Sequence, residues 1–378
     1  MIYMIKNNTT FYSIFTGFFL FFFVSLTKTT LGPDEETYLR VGTIFLNEGA
    51  YTYTKAHPLL SVLSAFIFKI FQDSLLTYQI IYGLSGMLLS FSVIKILDEI
   101  LIDKSNIKFI HTFILLTPGI LVLCLYAISN IFFTSIAYAS VYFFYKCVKD
   151  RSTQISVIAG FIVGLSYLAR VDGIVLFFGL CLSLLILSYL NNESYKKIFL
   201  YFASTFFITI IPWQIYLNSN DLLLSSVIRG GYASGYWDDG IAKYVLGDGT
   251  RIGFEKLNFF NHFFVPTAKN LVLYSENISS IKSFPFFLWV FILFCFDEIK
   301  NKYNYIIFII PFLTTFSYLI FFIETRYLVA AVPLLSAMSF IGFINVIKKY
   351  FTKKDPYIYS LLAIIVIMDL CFILLWMN

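Results

Sequence analysis

Three consecutive acids, Asp34, Glu35 and Glu36, follow a Gly32-Pro33 turn and precede a stretch able to form a helix. A carboxylate fixed beside a turn can serve as a general base, taking a proton from a hydroxyl as that hydroxyl attacks. Paired acids can also hold a divalent cation. Asp34 and Glu35 would be its ligands, although no third ligand stands out. A structural role competes with both. Gly-Pro is a turn signal, and Asp34 at or near the start of a helix over Glu36 to Leu46 would accept backbone N–H groups. Glu36 would then be a solvated first-turn charge.

Other chemistry-bearing residues are scattered along the chain. His57 stands before Pro58, with Lys55 two residues earlier. The histidine reads either as a contact in a site or as a polar stop ahead of the next helix. Arg170 and Asp172 flank a short turn between two apolar runs. An arginine at such a depth is costly; it is either functional, or paired, or snorkelling to headgroups. Glu324, Arg326 and Tyr327 end another apolar run. A guanidinium suits bidentate phosphate binding, and a pair between Arg326 and Glu324 is the alternative. Tyr232, Tyr236 and Trp237 lie in the polar stretch RGGYASGYWDDG. They can stack on the face of a ligand ring such as a sugar, or anchor the chain at a membrane interface. His57, His111 and His262 are not spaced as a metal set. The five cysteines lie in or beside apolar runs, with no ligand spacing.

The elements that must position these residues are membrane helices. The 378 residues are 59% hydrophobic and only 13% charged, against roughly 25% charged in soluble domains. Repeated apolar runs of about 20 residues then mean transmembrane helices. The first run follows Lys6, lacks a small-x-small cleavage site and is followed by many more, so it reads as a retained helix. The pattern predicts an all-α polytopic membrane protein, one integral domain over 1–378. About eleven spans are expected, near 11–27, 75–97, 109–126, 129–145, 153–169, 173–190, 198–216, 284–297, 305–322, 328–347 and 357–376. Residues 59–71 are short for a span and predict an amphipathic helix within a first loop, 28–73, lying at the surface or packed under the loop. A long loop occupies 217–283.

Charge sets the expected orientation. Lys95, Lys104 and Lys108, then Lys146, Lys149 and Arg151, then Lys196 and Lys197, and later Lys300, Lys302, Lys348, Lys349, Lys353 and Lys354 fall on one side if the spans alternate. The positive-inside rule makes that side cytoplasmic. The N-terminus is then cytoplasmic and the C-terminus outside. The acidic loop, Arg170 with Asp172, the long loop and Glu324 with Arg326 converge on the extracytoplasmic face.

Four short elements in this order resemble the C-type glycosyltransferases (the GT-C superfamily), in the branch of the protein O-mannosyltransferases and the aminoarabinose transferase. They are Pro33-Asp34-Glu35 with Tyr38, His57-Pro58-Leu59, Arg170-Val171-Asp172-Gly173, and Arg326-Tyr327-Leu328 with Pro333. The resemblance implies a GT-C-like bundle whose extracytoplasmic first loop bears the acidic motif. It also implies a polyprenyl-phosphate-linked sugar donor. Asp34 would be the catalytic base and Glu35 its neighbour toward substrate or a divalent cation. Arg326 would meet the lipid phosphate, helped by Arg170 or Lys55, and the anomeric configuration would invert. His57, Asp172, Glu324, Tyr327, Tyr232, Tyr236 and Trp237 are the remaining substrate-binding candidates. No large soluble C-terminal domain is present, which favours a lipid-linked glycan or surface polysaccharide over a protein as acceptor, in a bacterial or archaeal plasma membrane. Two other functions compete. A lipid-linked polysaccharide polymerase would depend more on arginines in later loops. A transporter or flippase of a lipid-linked sugar would show inverted repeats or paired broken helices.

Overall fold

The computed structural model describes residues 2–52, 57–101, 104, 107–117, 119–121, 128–191, 194–220, 306, 330–350, 360 and 364. These residues form an all-α protein; no strand occurs among them. In chain order the helices are α1 (Ile2–Ser25), α2 (Pro33–Glu48), α3 (Pro58–Phe71), α4 (Ser74–Ile100) and α5 (Ile107–Leu115). They continue with α6 (Ile128–Asp150), α7 (Thr153–Ala169), α8 (Gly173–Asn191), α9 (Lys196–Ser219) and α10 (Val332–Tyr350).

Local chemistry starts and stops several of them. Asp73 caps α4 by accepting from the Leu76 N–H at 2.9 Å, and Ser152 caps α7 through the Ile155 N–H at 3.3 Å. Each satisfies a backbone donor that a helix start leaves without a partner. Helix α5 stops after nine residues, because Thr117 precedes a proline and the residue before proline is pushed out of the helical region.

Helices α4 and α6 run through the middle of the bundle and pack on each other; α1 packs on α4, and α7 lies between α6 and α9. Gly17 and Gly86 face each other where α1 crosses α4. A Cβ on Gly17 would collide with Ser90 Oγ and with the Gly86 carbonyl. Small residues allow this approach, and van der Waals contact between close backbones is a main source of helix association in lipid. On the outside, Phe11, Phe15, Phe19 and Phe23 of α1, Phe178, Leu182 and Leu185 of α8, and Ile208, Ile211 and Ile215 of α9 are exposed. In water such a surface would be an association hazard; in a bilayer it meets acyl chains.

The protein is an integral membrane protein, but the expected bundle of about eleven spans is corrected. Among the described residues five helices are long and apolar enough to cross: Ser74–Ile100, Ile128–Asp150, Gly173–Leu190, Lys196–Ser219 and Val332–Lys349. The apolar parts of α1 and α7, Thr10–Ser25 and Thr153–Ala169, are shorter. Polar Lys6 to Thr9 precede the first, and the Arg170–Asp172 turn ends the second. Within the run expected over 109–126, the described residues include α5, which stops at Leu115, and helical residues 119–121; residues 118 and 122–126 lie outside the described residues. The runs expected near 284–297 and 305–322 lie outside the described residues apart from Ile306, and that near 357–376 apart from Ser360 and Ile364.

The amphipathic helix expected over 59–71 is α3. It buries Leu60, Ser61, Ser64, Ala65 and Ile67 and exposes Phe66, Ile70 and Phe71. It packs on α2, α4 and α7, which seats the acidic helix α2 against the end of the bundle.

Candidate functional site

The acidic segment begins helix α2. Gly32 occupies the N-cap and Pro33 the first turn, where the missing proline N–H costs nothing. Asp34 is therefore the second residue of the helix rather than its cap, and its side chain is exposed, as is that of Glu36. Glu35, between them, is only 2% exposed.

Three donors converge on the Glu35 carboxylate. The Gly32 N–H donates to Oε2 at 2.6 Å, which is the reach-back half of a capping box. The Tyr82 hydroxyl donates to Oε1 at 2.8 Å. Lys28 Nζ lies 2.5 Å from both oxygens. Tyr78 donates to the Glu35 backbone carbonyl at 2.5 Å. Lys28 follows α1, and Tyr78 and Tyr82 sit four apart on one face of α4. The start of α2 is thus tied to two other helices.

The end of α2 is tied as well. Gly49 adopts the left-handed conformation, φ 70°, and its N–H donates to the Phe45 carbonyl, the usual glycine stop of a helix. The Tyr216 hydroxyl of α9 donates to the Gly49 carbonyl at 3.0 Å and accepts from the Tyr51 N–H at 2.8 Å. Trp213 stacks on Tyr216 and meets Tyr51 edge-on at 4.8 Å. Tyr51 in turn donates to Ser61 Oγ of α3 at 3.2 Å. Burial pushes the Tyr51 phenol above its ordinary range, so it stays a protonated donor.

A second charged cluster stands at the same end. Arg170 leaves the end of α7 in extended conformation. Its Nε donates to Asp172 Oδ2 at 2.7 Å. One terminal nitrogen donates to Asn130 Oδ1 at 2.5 Å and Ser129 Oγ at 3.2 Å, both at the start of α6. Arg170 and Asp172 are therefore paired, and the pair is drawn into the bundle end.

His57 joins the two clusters. It stacks on Tyr38, one turn after Asp34 on α2, with ring centroids 5.9 Å apart. Burial, reinforced by the Arg170 cation, lowers its pKa from 6.5 to about 3. The imidazole is neutral across the physiological range and can offer an acceptor nitrogen.

The structure thus gathers Asp34, Glu35, Tyr38, His57, Arg170 and Asp172 at one end of the bundle. The other candidates, Lys55, Tyr232, Tyr236, Trp237, Glu324, Arg326 and Tyr327, lie outside the described residues. Lys28, Tyr82, Asn130 and Tyr216 were missed by reasoning from the sequence. Lys28 carries a readable signal, a lone cation at the end of a span seven residues before Glu35. Tyr82 and Asn130 carry none, because their partners are distant in the chain.

The donor set around Glu35 does not suit a cation. Both oxygens already accept from an ammonium, a hydroxyl or an amide, and a divalent ion would have to displace the ammonium. Among the described residues, no group of three or more His, Cys, Asp or Glu side chains could hold a metal ion.

Residues 55–216 match the model of a family described as dolichyl-phosphate-mannose-protein mannosyltransferase. The matched stretch is under half of the chain. It contains His57, Arg170 and Asp172 and begins after Asp34 and Glu35. No curated protein matches the chain. The partial likeness supports a transferase and suggests a place in the broader GT-C glycosyltransferase superfamily, without selecting a branch.

Proposed function

We propose that the protein transfers a sugar from a polyprenyl-phosphate-linked donor to a lipid-linked glycan or surface polysaccharide, on the extracytoplasmic side of a plasma membrane. Asp34 is the general base that accepts the proton of the attacking hydroxyl. The donor phosphate is held by Arg326, with Arg170 and Lys55 adding positive charge. His57 and Asp172, at the same end of the bundle, are further candidates for contacts with substrate. The N-terminus is cytoplasmic in this reading, supported by the bias of loop lysines toward one side.

The observation that carries this reading is the likeness of residues 55–216 to a family of dolichyl-phosphate-mannose-dependent transferases. The placement of Asp34 adds to it. The residue is an exposed carboxylate on a helix fixed at both ends, at the same end of the bundle as the part-buried Arg170–Asp172 pair and a neutral imidazole. For Arg326 the support is the Arg-Tyr element of the sequence alone.

Purified wild-type and Asp34→Asn proteins would be compared with labelled polyprenyl-phospho-sugar and candidate acceptors. The variant should lose transfer by about 10²-fold or more, the usual worth of a positioned base. Full transfer by the variant would remove Asp34 from the chemistry. Movement of the sugar lipid across vesicles without transfer by wild type would replace the transferase reading with a flippase.

A further inference from the structure

Glu35 sits beside the proposed base, and its carboxylate is held by three groups of the protein itself. It lies inward on α2, accepts from Lys28, Gly32 and Tyr82, and is almost fully enclosed. Gly32 has no side chain, so the start of α2 lacks the side-chain cap that an aspartate or serine would supply. The carboxylate three residues into the helix instead accepts from the N–H of the cap residue itself, the reach-back half of a capping box. It does so while paired with an ammonium that follows α1 and bonded to a hydroxyl on α4. Lys28 also lies 5.8 Å above the Tyr82 ring, so the three groups form one closed set.

Resting on the reading of Asp34 as base, we propose that Glu35 is a positioning residue. With Lys28 and Tyr82 it fixes the first turn of α2 to the membrane helices and so sets where the Asp34 carboxylate stands. Successive residues of a helix point about 100° apart. A buried, triply bonded Glu35 therefore turns Asp34 outward at the rim. Loss of the anchor lets the first turn shift, and a displacement of about 1 Å can cost roughly 10²-fold in rate.

Charge neutralisation separates this role from direct action on substrate. Lys28→Met leaves a buried carboxylate without its cation, and Glu35→Gln leaves a part-buried ammonium without its anion. Either single change is costly in a buried pair. The double variant Lys28→Met/Glu35→Gln removes both charges, while the glutamine oxygen can still accept from Gly32 or Tyr82. All three variants would be made in the full-length protein in lipid nanodiscs. Hydrogen exchange would be followed on the peptide spanning 33–40, alongside kcat and donor KM.

Each single change is expected to speed exchange in α2 and to lower kcat roughly tenfold or more, with KM for the donor changing less than about threefold. The double variant should recover both protection and kcat to within about threefold of wild type. If the double variant regains protection but stays as inactive as Glu35→Gln, Glu35 acts on substrate itself and the positioning role is overturned. Unchanged exchange in both single variants overturns the anchor. If wild type transfers nothing, the transferase reading falls by itself; exchange in the singles and the double then still decides whether the pair holds α2.

Discussion

The two ends of the helix bundle both carry ion pairs, but they are built differently. At the end that bears α2, Lys28–Glu35 and Arg170–Asp172 are nearly enclosed, with side-chain exposures of 16% and 3%, and of 12% and 5%. At the opposite end, Lys104–Asp98 is exposed at 47% and 30%, and Lys146–Asp150 at 31% and 39%. Lys146 and Lys149 share Glu99 there. The buried pairs also hold neutral partners, Tyr82 for one and Asn130 with Ser129 for the other. A membrane protein needs cations on its inner side for orientation, and solvated pairs suffice for that. Buried pairs are expensive to form and are tolerated where exact placement of charge matters. The difference teaches that the two ends handle charge differently: solvated at one, enclosed and hydrogen-bonded at the other.

The contrast can be broken experimentally, and the largest effect belongs to the second buried cluster. Arg170→Ala should cost about 3–5 kcal/mol of stability, because Asp172 is left as an uncompensated buried carboxylate. Thermal unfolding in detergent would read it. Arg170→Ala/Asp172→Ala should lose less than the sum of the two single changes; simple additivity would show that the pair is not coupled.

Acid should separate the ends next. The pKa of His57 is lowered from 6.5 to about 3. The unfolded chain therefore binds the proton first as pH falls. The stability that His57 contributes is full above about 6.5 and is lost progressively toward pH 3, by at most about 1.4 kcal/mol per pH unit. A His57→Gln variant should show a flatter decline of melting temperature between pH 6.5 and 5. An identical slope in wild type and variant would remove His57 as the source.

A smaller loss is expected at the far end of α2. Tyr216→Phe removes one donated and one accepted hydrogen bond, to Gly49 and from Tyr51. Each is worth about 1 kcal/mol. Proteolysis or exchange near residues 45–51 should rise, with the opposite end of the bundle unaffected. The smallest effect belongs to the exposed pair: Lys104→Ala should change stability by less than about 1 kcal/mol. A loss comparable to that of Arg170→Ala would erase the distinction between the two ends.

Much of this was legible in the chain, for identifiable reasons. Helix α3 was expected because Leu59 to Phe71 is apolar yet too short to span, and it carries Lys69. The turn at Arg170–Asp172 was expected because two charges interrupt an otherwise apolar run. The convergence of the acidic segment and Arg170 followed from loop charges alone. The span count did not hold among the described residues. Hydropathy registers an apolar run without registering that Thr117-Pro118 ends a helix early or that α7 is cut short by its charged turn. The enclosure of Glu35 was not legible, since neighbouring acids differ only in the direction a helix turns them.

The sequence by itself determined the class of the protein. An all-α membrane protein is dictated by apolar runs and sparse charge, properties local to a segment of about 20 residues. Only the tertiary structure decided which acid faces outward and which is enclosed. That depends on Lys28, Tyr82 and Gly32 meeting Glu35, and Tyr82 lies 47 residues away in the chain. Local pattern can place a carboxylate on a helix; what surrounds it is settled by helices that pack from elsewhere.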